Sequence, residues 1–175
     1  LVEGGQWAVS SGAYVGSGPA TPLSCVQTGS QITAALVTGF SARDLRLHAQ
    51  LTGVQRADKV VVLRARDPQN RVELNFRAGY DDGGTTRGGD LVIQELRNCV
   101  QTLHVGPGTL SIPHELGETL VVELELRGAS LGVWVEGRQI FQGEVPISTS
   151  AGAVGVGVIS GGITRFDDLF VQSLD

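Results

Sequence analysis

Glu123 and Glu125 are the carboxylates whose spacing first suggests joint chemistry. They alternate with Leu124 and Leu126, so they share one face of a strand, and two residues of rise separate them by about 6–7 Å. A carboxyl pair roughly 5 Å apart performs retaining glycoside hydrolysis, and a solvated charged face is the plainer reading of the same residues. Trp134 alternates against Val133 and Val135 and stands outward beside Glu136. An outward indole offers the flat surface on which the apolar face of a sugar stacks; packing under a loop or against a neighbouring domain is the alternative. Glu73, Asn75 and Arg77 fall on the outward parity of 71–77 and would supply polar groups for hydroxyls, as would Glu123 and Glu125. Tyr80 and Arg87 lie in the glycine-rich stretch 79–90, where they would stand at the rim of a site.

Other chemistry is poorly supplied. His48, His104 and His114 are scattered without metal-ligand spacing, which makes them surface or structural residues. No G-x-S-x-G elbow is present, and the glycines at 155, 157 and 161 do not match a dinucleotide fingerprint or precede a helix. Asp81-x-Gly83 lacks the full calcium-loop pattern, whereas Asp167 and Asp168 sit where a bulge would let carboxylates hold backbone amides or a structural calcium ion. Cys25 and Cys99 are the two cysteines, and neither belongs to a C-x-x-C pair. A disulfide between them would close a long loop and stabilise by about 4 kcal/mol in the chain-entropy picture; two separate buried thiols are the alternative.

These residues have to be positioned by strands. In 119–127, Leu120, Val122, Leu124 and Leu126 take one face and Val121, Glu123, Glu125 and Arg127 the other. The same period of two runs through 71–77 and 131–136. Strands are expected at 6–9, 13–16, 32–37, 44–53, 59–66, 71–78, 90–97, 100–105, 119–127, 130–136, 139–142, 152–159 and 163–173. Turn signals separate them, among them Asp67-Pro68-Gln69-Asn70, Gly106-Pro107-Gly108 and Glu136-Gly137. The glycine-rich run 151–162 alternates small and β-branched residues, which predicts a closely packed central strand rather than a linker. With no convincing helical period, the chain reads as all-β: a two-sheet antiparallel β-sandwich of the jelly-roll kind, one domain over 1–175.

Composition agrees. Hydrophobic residues make up 41% and charged residues 18%, with 25 glycines spread over many turns. A net charge of −5 disfavours nucleic acid as a partner. No apolar run reaches the roughly 18–20 residues of a membrane span. Methionine is absent, which reads as a processed or excised fragment.

The order of short motifs adds a resemblance. Gly5-Gln6-Trp7-Ala8-Val9-Ser10-Ser11-Gly12-Ala13-Tyr14 opens the chain, and Leu63-Arg64-Ala65-Arg66-Asp67 follows with Asn70. Leu131-Gly132-Val133-Trp134-Val135-Glu136-Gly137 is similar to the hairpin of laminin-G-like domains. Gly152-Ala153-Val154-Gly155-Val156-Gly157 and Phe166-Asp167-Asp168-Leu169-Phe170-Val171 close it. Together they resemble the concanavalin A-like lectin and glucanase superfamily, in particular the modules of secreted bacterial proteins that act on or bind polysaccharides. The initial "D-D-F" strand of many relatives is missing. The glucanase carboxylate strand, E-x-D-x-x-E or E-x-D-x-E, is broken here: Arg127 or Gly128 stands at the third acidic position. The resemblance therefore implies a non-catalytic carbohydrate-binding module of a larger secreted or cell-surface protein, one that docks a polysaccharide or glycan. A structural or adhesive protein-interaction domain, contacting neighbouring domains of its parent, and a saccharide-active hydrolase with a non-standard site are the alternatives. None requires a cofactor.

Overall fold

A computed structural model describes residues 2–3, 6–10, 13–17, 32–37, 39–55, 58–77, 80–81, 86–87, 89–159 and 162–175. In chain order the strands are β1 (Val2–Glu3), β2 (Gln6–Ser10), β3 (Ala13–Ser17), β4 (Ile32–Leu36) and β5 (Leu45–Gln55). Then come β6 (Lys59–Asp67), β7 (Asn70–Arg77), β8 (Tyr80–Asp81), β9 (Thr86–Arg87), β10 (Asp90–Arg97) and β11 (Val100–Ser111). The last are β12 (Thr119–Arg127), β13 (Ser130–Val135), β14 (Arg138–Glu144), β15 (Ala153–Ile159) and β16 (Ile163–Ser173). The first sheet has the order β1-β4-β15-β6-β7-β10-β11 and the second β14-β13-β12-β5-β16-β3-β2; every pairing is antiparallel. The two-sheet antiparallel sandwich expected from the period of two is the observed fold.

The sheets pack on their alternating apolar faces. Leu45, Leu47, Ala49 and Leu51 of β5 and Leu120, Val122, Leu124 and Leu126 of β12 meet Val61, Leu63, Val72, Leu74, Phe76, Leu91 and Ile93 from the other sheet. The second sheet is one-faced: β12 buries every second residue and exposes the rest. The central strands β6, β7 and β10 of the first sheet are buried on both faces along most of their length. Ile32, Ala34, Val60, Val62 and Ala65 form a separate apolar cluster there, on the parity opposite to Val61 and Leu63. Gly155 lies in this crowded sheet between β4 and β6, and a Cβ on it would clash with the carbonyl oxygen of Ala35. The run 151–162 thus contributes a central strand, as its alternation of small and branched residues indicated.

The hairpin from β13 to β14 turns on Glu136 and Gly137, with φ of 53° and 70°, the doubly positive pair that matches strand twist. Arg64 also has a positive φ, 50°, and the pairing of β6 with β7 shifts register beyond Leu63. The irregularity sets the facing of Arg64. Its side chain enters the end of the sandwich, 3% exposed, and donates to three carbonyls: Nε to Arg43 O at 2.8 Å, Nη1 to Ser148 O at 2.6 Å and Nη2 to Gly128 O at 2.7 Å.

Lys59, the single lysine of the sequence, has the inward parity of Val61 and is fully buried. Its Nζ lies 2.7 Å from Nε2 of buried His114, whose Nδ1 is 2.8 Å from Ile112 O. The ring therefore donates to the carbonyl and accepts from lysine. Burial lowers the Lys59 pKa from 10.5 to about 8, with Asp58 acting in the opposite direction. Burial, then the Lys59 charge, also lowers that of His114. Between pH 8 and 10.5 the unfolded chain keeps a lysine proton that the folded chain has released, so stability should rise with pH across this window. The expected gain is up to about 3 kcal/mol, absent from Lys59→Met. Urea midpoints measured on both proteins across the window check this, and parallel curves would refute it.

Candidate functional site

The open face of the second sheet assembles side chains into cross-strand rows. Register sets Trp134 opposite Glu123, Glu123 opposite His48 and His48 opposite Phe170. The next row runs from Gly132 through Glu125 and Arg46 to Gln172. Apart from Gly132, these residues line a groove of about 340 Å³. Since neighbouring strands are about 4.8 Å apart, the row from Trp134 to Phe170 crosses roughly 14 Å of sheet.

Gly132 sets the attitude of Trp134. The two share a face of β13, and a Cβ on Gly132 would lie 2.7 Å from Cζ3 of the indole and closer still to Cη2. The ring thus lies down over the glycine, taking the space a side chain would fill in the row of Glu125. Gly132→Ala should tip the ring and change the tryptophan fluorescence while leaving the buried face of β13 intact. A spectrum identical to the wild type would contradict this placement.

Glu125 is held from both sides. Nε of Arg46 lies 2.6 Å from its Oε2 and Nε of Arg127 2.7 Å from its Oε1. The Arg127 and Arg46 hydrogen bonds hold its carboxyl below the usual carboxylate range. Glu125 is therefore a fixed, ionised acceptor that orients two guanidinium groups, whose remaining N–H groups can point at hydroxyls. An acid catalyst needs the opposite shift. Glu123 Oε1 lies 3.7 Å from His48 Nδ1, a looser and more exposed pair.

Of the residues singled out from sequence, Trp134, Glu123 and Glu125 come together here. Glu73, Asn75 and Arg77 do not: they belong to β7 in the other sheet. The expected solvent-facing role of Glu73 and Asn75 is corrected by burial, since Glu73 is 1% exposed and Asn75 is buried as well, while Arg77 is half-buried. Glu73 accepts from Arg71 Nε at 2.6 Å and from Gln94. Asn75 bonds Asp58, and Arg77 pairs with Asp90. Alternation marked them as outward, but both faces of this sheet are covered. Tyr80 and Arg87 are cross-strand partners in β8 and β9, and their side chains lie outside the described residues.

The expected bulge in β16 is present: Asp168 has φ 47° and one extra residue separates Asp167 from Phe170. Asp167 accepts from the backbone N–H of Asp168 at 2.9 Å, and Asp168 accepts from Gln50 Nε2 at 2.7 Å. Among the described residues, no group of three or more His, Cys, Asp or Glu is arranged to hold a metal ion. Phe166 and Val171 turn toward the core, as a bulge permits, but Leu169 does not: it shares the bulge and is exposed. Cys99 is not a free thiol, and Cys25 lies outside the described residues.

Sequence reasoning missed Arg46, His48, Phe170 and Gln172. Arg46 and His48 carried a signal, because they alternate with Leu45, Leu47 and Ala49. Phe170 faces outward, 61% exposed, only because the bulge shifts parity ahead of it.

No protein-family model matches the chain, and no curated protein matches it significantly. Solved structures do. The carbohydrate-binding module CBM66 from Bacillus subtilis superposes with a TM-score of 0.76 at 15% identity, over 99% of this chain and 94% of that one. The likeness is one of fold. A GH43 protein from Bacillus licheniformis gives a TM-score of 0.62 at 11% identity, over 96% of this chain and 34% of that one. Galectin-Ib from Xenopus laevis gives 0.51 at 14% identity, over 79% and 99%. No helix among the described residues is long and apolar enough to cross a membrane.

Proposed function

We propose that this chain is a non-catalytic carbohydrate-binding module of an extracellular protein, with its glycan site on the open face of the second sheet. The observation that carries this reading is the indole of Trp134 laid over Gly132 beside the Arg46–Glu125–Arg127 cluster. A flat apolar surface next to directed donors and acceptors is what recognition of a sugar requires, since each ring has an apolar face and a rim of hydroxyls. Phe170 at the far end of the same row provides a second apolar surface, which favours an oligosaccharide over a single ring. The fold shared with a carbohydrate-binding module and a galectin supports the reading. The ionised state of Glu125 speaks against a hydrolase that uses this carboxyl as its acid.

A glycan array probed with the wild-type domain is the direct test. Retention of at least one soluble glycan, competed by the free oligosaccharide, is the expected result. No retained glycan at millimolar concentration would end the proposal. The extracellular setting goes with a Cys25–Cys99 disulfide, which intact mass measured with and without reductant would reveal as a difference of two hydrogens.

A further inference from the structure

A second cavity lies away from the glycan groove, at the end of the first sheet, where the turn from β6 to β7 meets the turn from β10 to β11. The backbone N–H of Cys99 donates to Gln69 O and that of Asn98 to the Asn70 side chain, so the two turns are fastened together. The cavity holds about 110 Å³ and draws Arg64, Arg66, Arg71 and Arg97 to one place, with Glu95 and Ser148.

Three of the four guanidinium groups have a carboxylate within 4 Å: Arg64 has Asp44, Arg71 has Glu73 and Arg97 has Glu95. The cavity therefore offers directed N–H donors more than bulk charge. Glu95 is already engaged by the backbone N–H of Ser148 at 2.8 Å and by Arg97. Arg71 is the informative member. It is 3% exposed, its Nε and Nη1 donate to Glu73 and Pro68 O, and its Nη2 is buried with no hydrogen-bond partner. A buried guanidinium donor left unpaired is destabilising, and an acceptor that reached it from the cavity Arg71 lines would satisfy it.

The size limits what that acceptor is. Pockets for drug-sized ligands begin at about 300 Å³. At roughly 30 Å³ per water-sized group, this one takes about four such groups. We infer that the cavity is a binding site for a tetrahedral oxyanion of the sulfate or phosphate kind, free or carried as an ester on a larger molecule. Arg71 supplies the buried donor and the exposed Arg66 and Arg97 close over the anion. Guanidinium groups suit this role because their planar forks match the edges of an oxyanion.

Side-chain Nε–H signals of the arginines, followed by NMR during titration with inorganic sulfate against chloride at equal ionic strength, test the site. Saturable shifts of Arg66, Arg71 and Arg97 in sulfate alone are expected, with at least tenfold weaker binding in the double variant Arg66→Gln, Arg97→Gln. Shifts that stay linear, appear equally in chloride, or persist unchanged in the double variant would overturn the inference. A sulfated disaccharide and its unsulfated counterpart form the second arm. Shifts of the same signals with the sulfated sugar alone assign an ester-borne group, whereas response to inorganic sulfate only assigns a free ion. Trp134→Ala should leave both arms unchanged, so failure of the glycan reading and failure of this one are separable.

Discussion

Trp134→Ala should reduce glycan affinity at least tenfold while the domain stays folded. The indole lies on the outer face of the second sheet, supported by Gly132, and none of the inward residues of β13 depends on it. Its removal deletes the indole platform of the groove and leaves the Arg46–Glu125–Arg127 cluster in place. Aromatic anchors of this kind dominate binding energy, and a tenfold loss corresponds to about 1.4 kcal/mol. Trp134→Phe should recover part of the affinity, because a smaller ring still stacks. Affinity electrophoresis on a retained glycan, with the melting temperature as the fold control, measures both. Unchanged affinity in Trp134→Ala would place the glycan elsewhere.

Arg64→Met should be the most damaging single change to stability. The arginine ties together three segments remote in sequence, through Arg43 O, Gly128 O and Ser148 O, with Asp44 3.6 Å away. Methionine fills much of the volume but donates nothing, so three carbonyls lose their donor at once, while Asp44 keeps Arg43 and the backbone N–H of Gly128. Breaking such a buried charged network costs about 3–5 kcal/mol. At about 2–4 °C per kcal/mol for a domain of this size, the melting temperature should fall by roughly 6–20 °C. The exposed neighbour changed in the same way, Arg66→Met, should shift stability by no more than about 0.5 kcal/mol. Equal melting temperatures for the two variants would show that the three carbonyls find other donors.

The contrast between Arg64 and Arg66 illustrates how legible this chain is. Period-two alternation placed nearly every long strand within a few residues, because a strand buried on one face must alternate. It located the C-terminal bulge as well, since Phe166, Leu169 and Val171 cannot all face inward without an extra residue near Asp167 and Asp168, although Leu169 stays exposed. It turned Trp134, Glu123 and Glu125 outward in their own strands, and the tight hairpin joining β12 and β13 puts the three on one outer face.

The sequence by itself therefore determined the all-β sandwich, its strands and the outward facing of Trp134, Glu123 and Glu125, each through local pattern. Only the tertiary structure decided which sheet has an open face. Glu73 and Glu123 carry the same alternating signal, yet one is buried in an ion pair and the other stands exposed in the groove. What covers a sheet is a property of segments distant in sequence, which periodicity within a strand does not register. Long-range pairing likewise brought Arg46, His48 and Phe170 to Trp134, and it gathered four arginines from three strands around one small cavity. Alternation specifies the two sides of a strand; the assembly of the sheets specifies which side meets solvent and which neighbours share it.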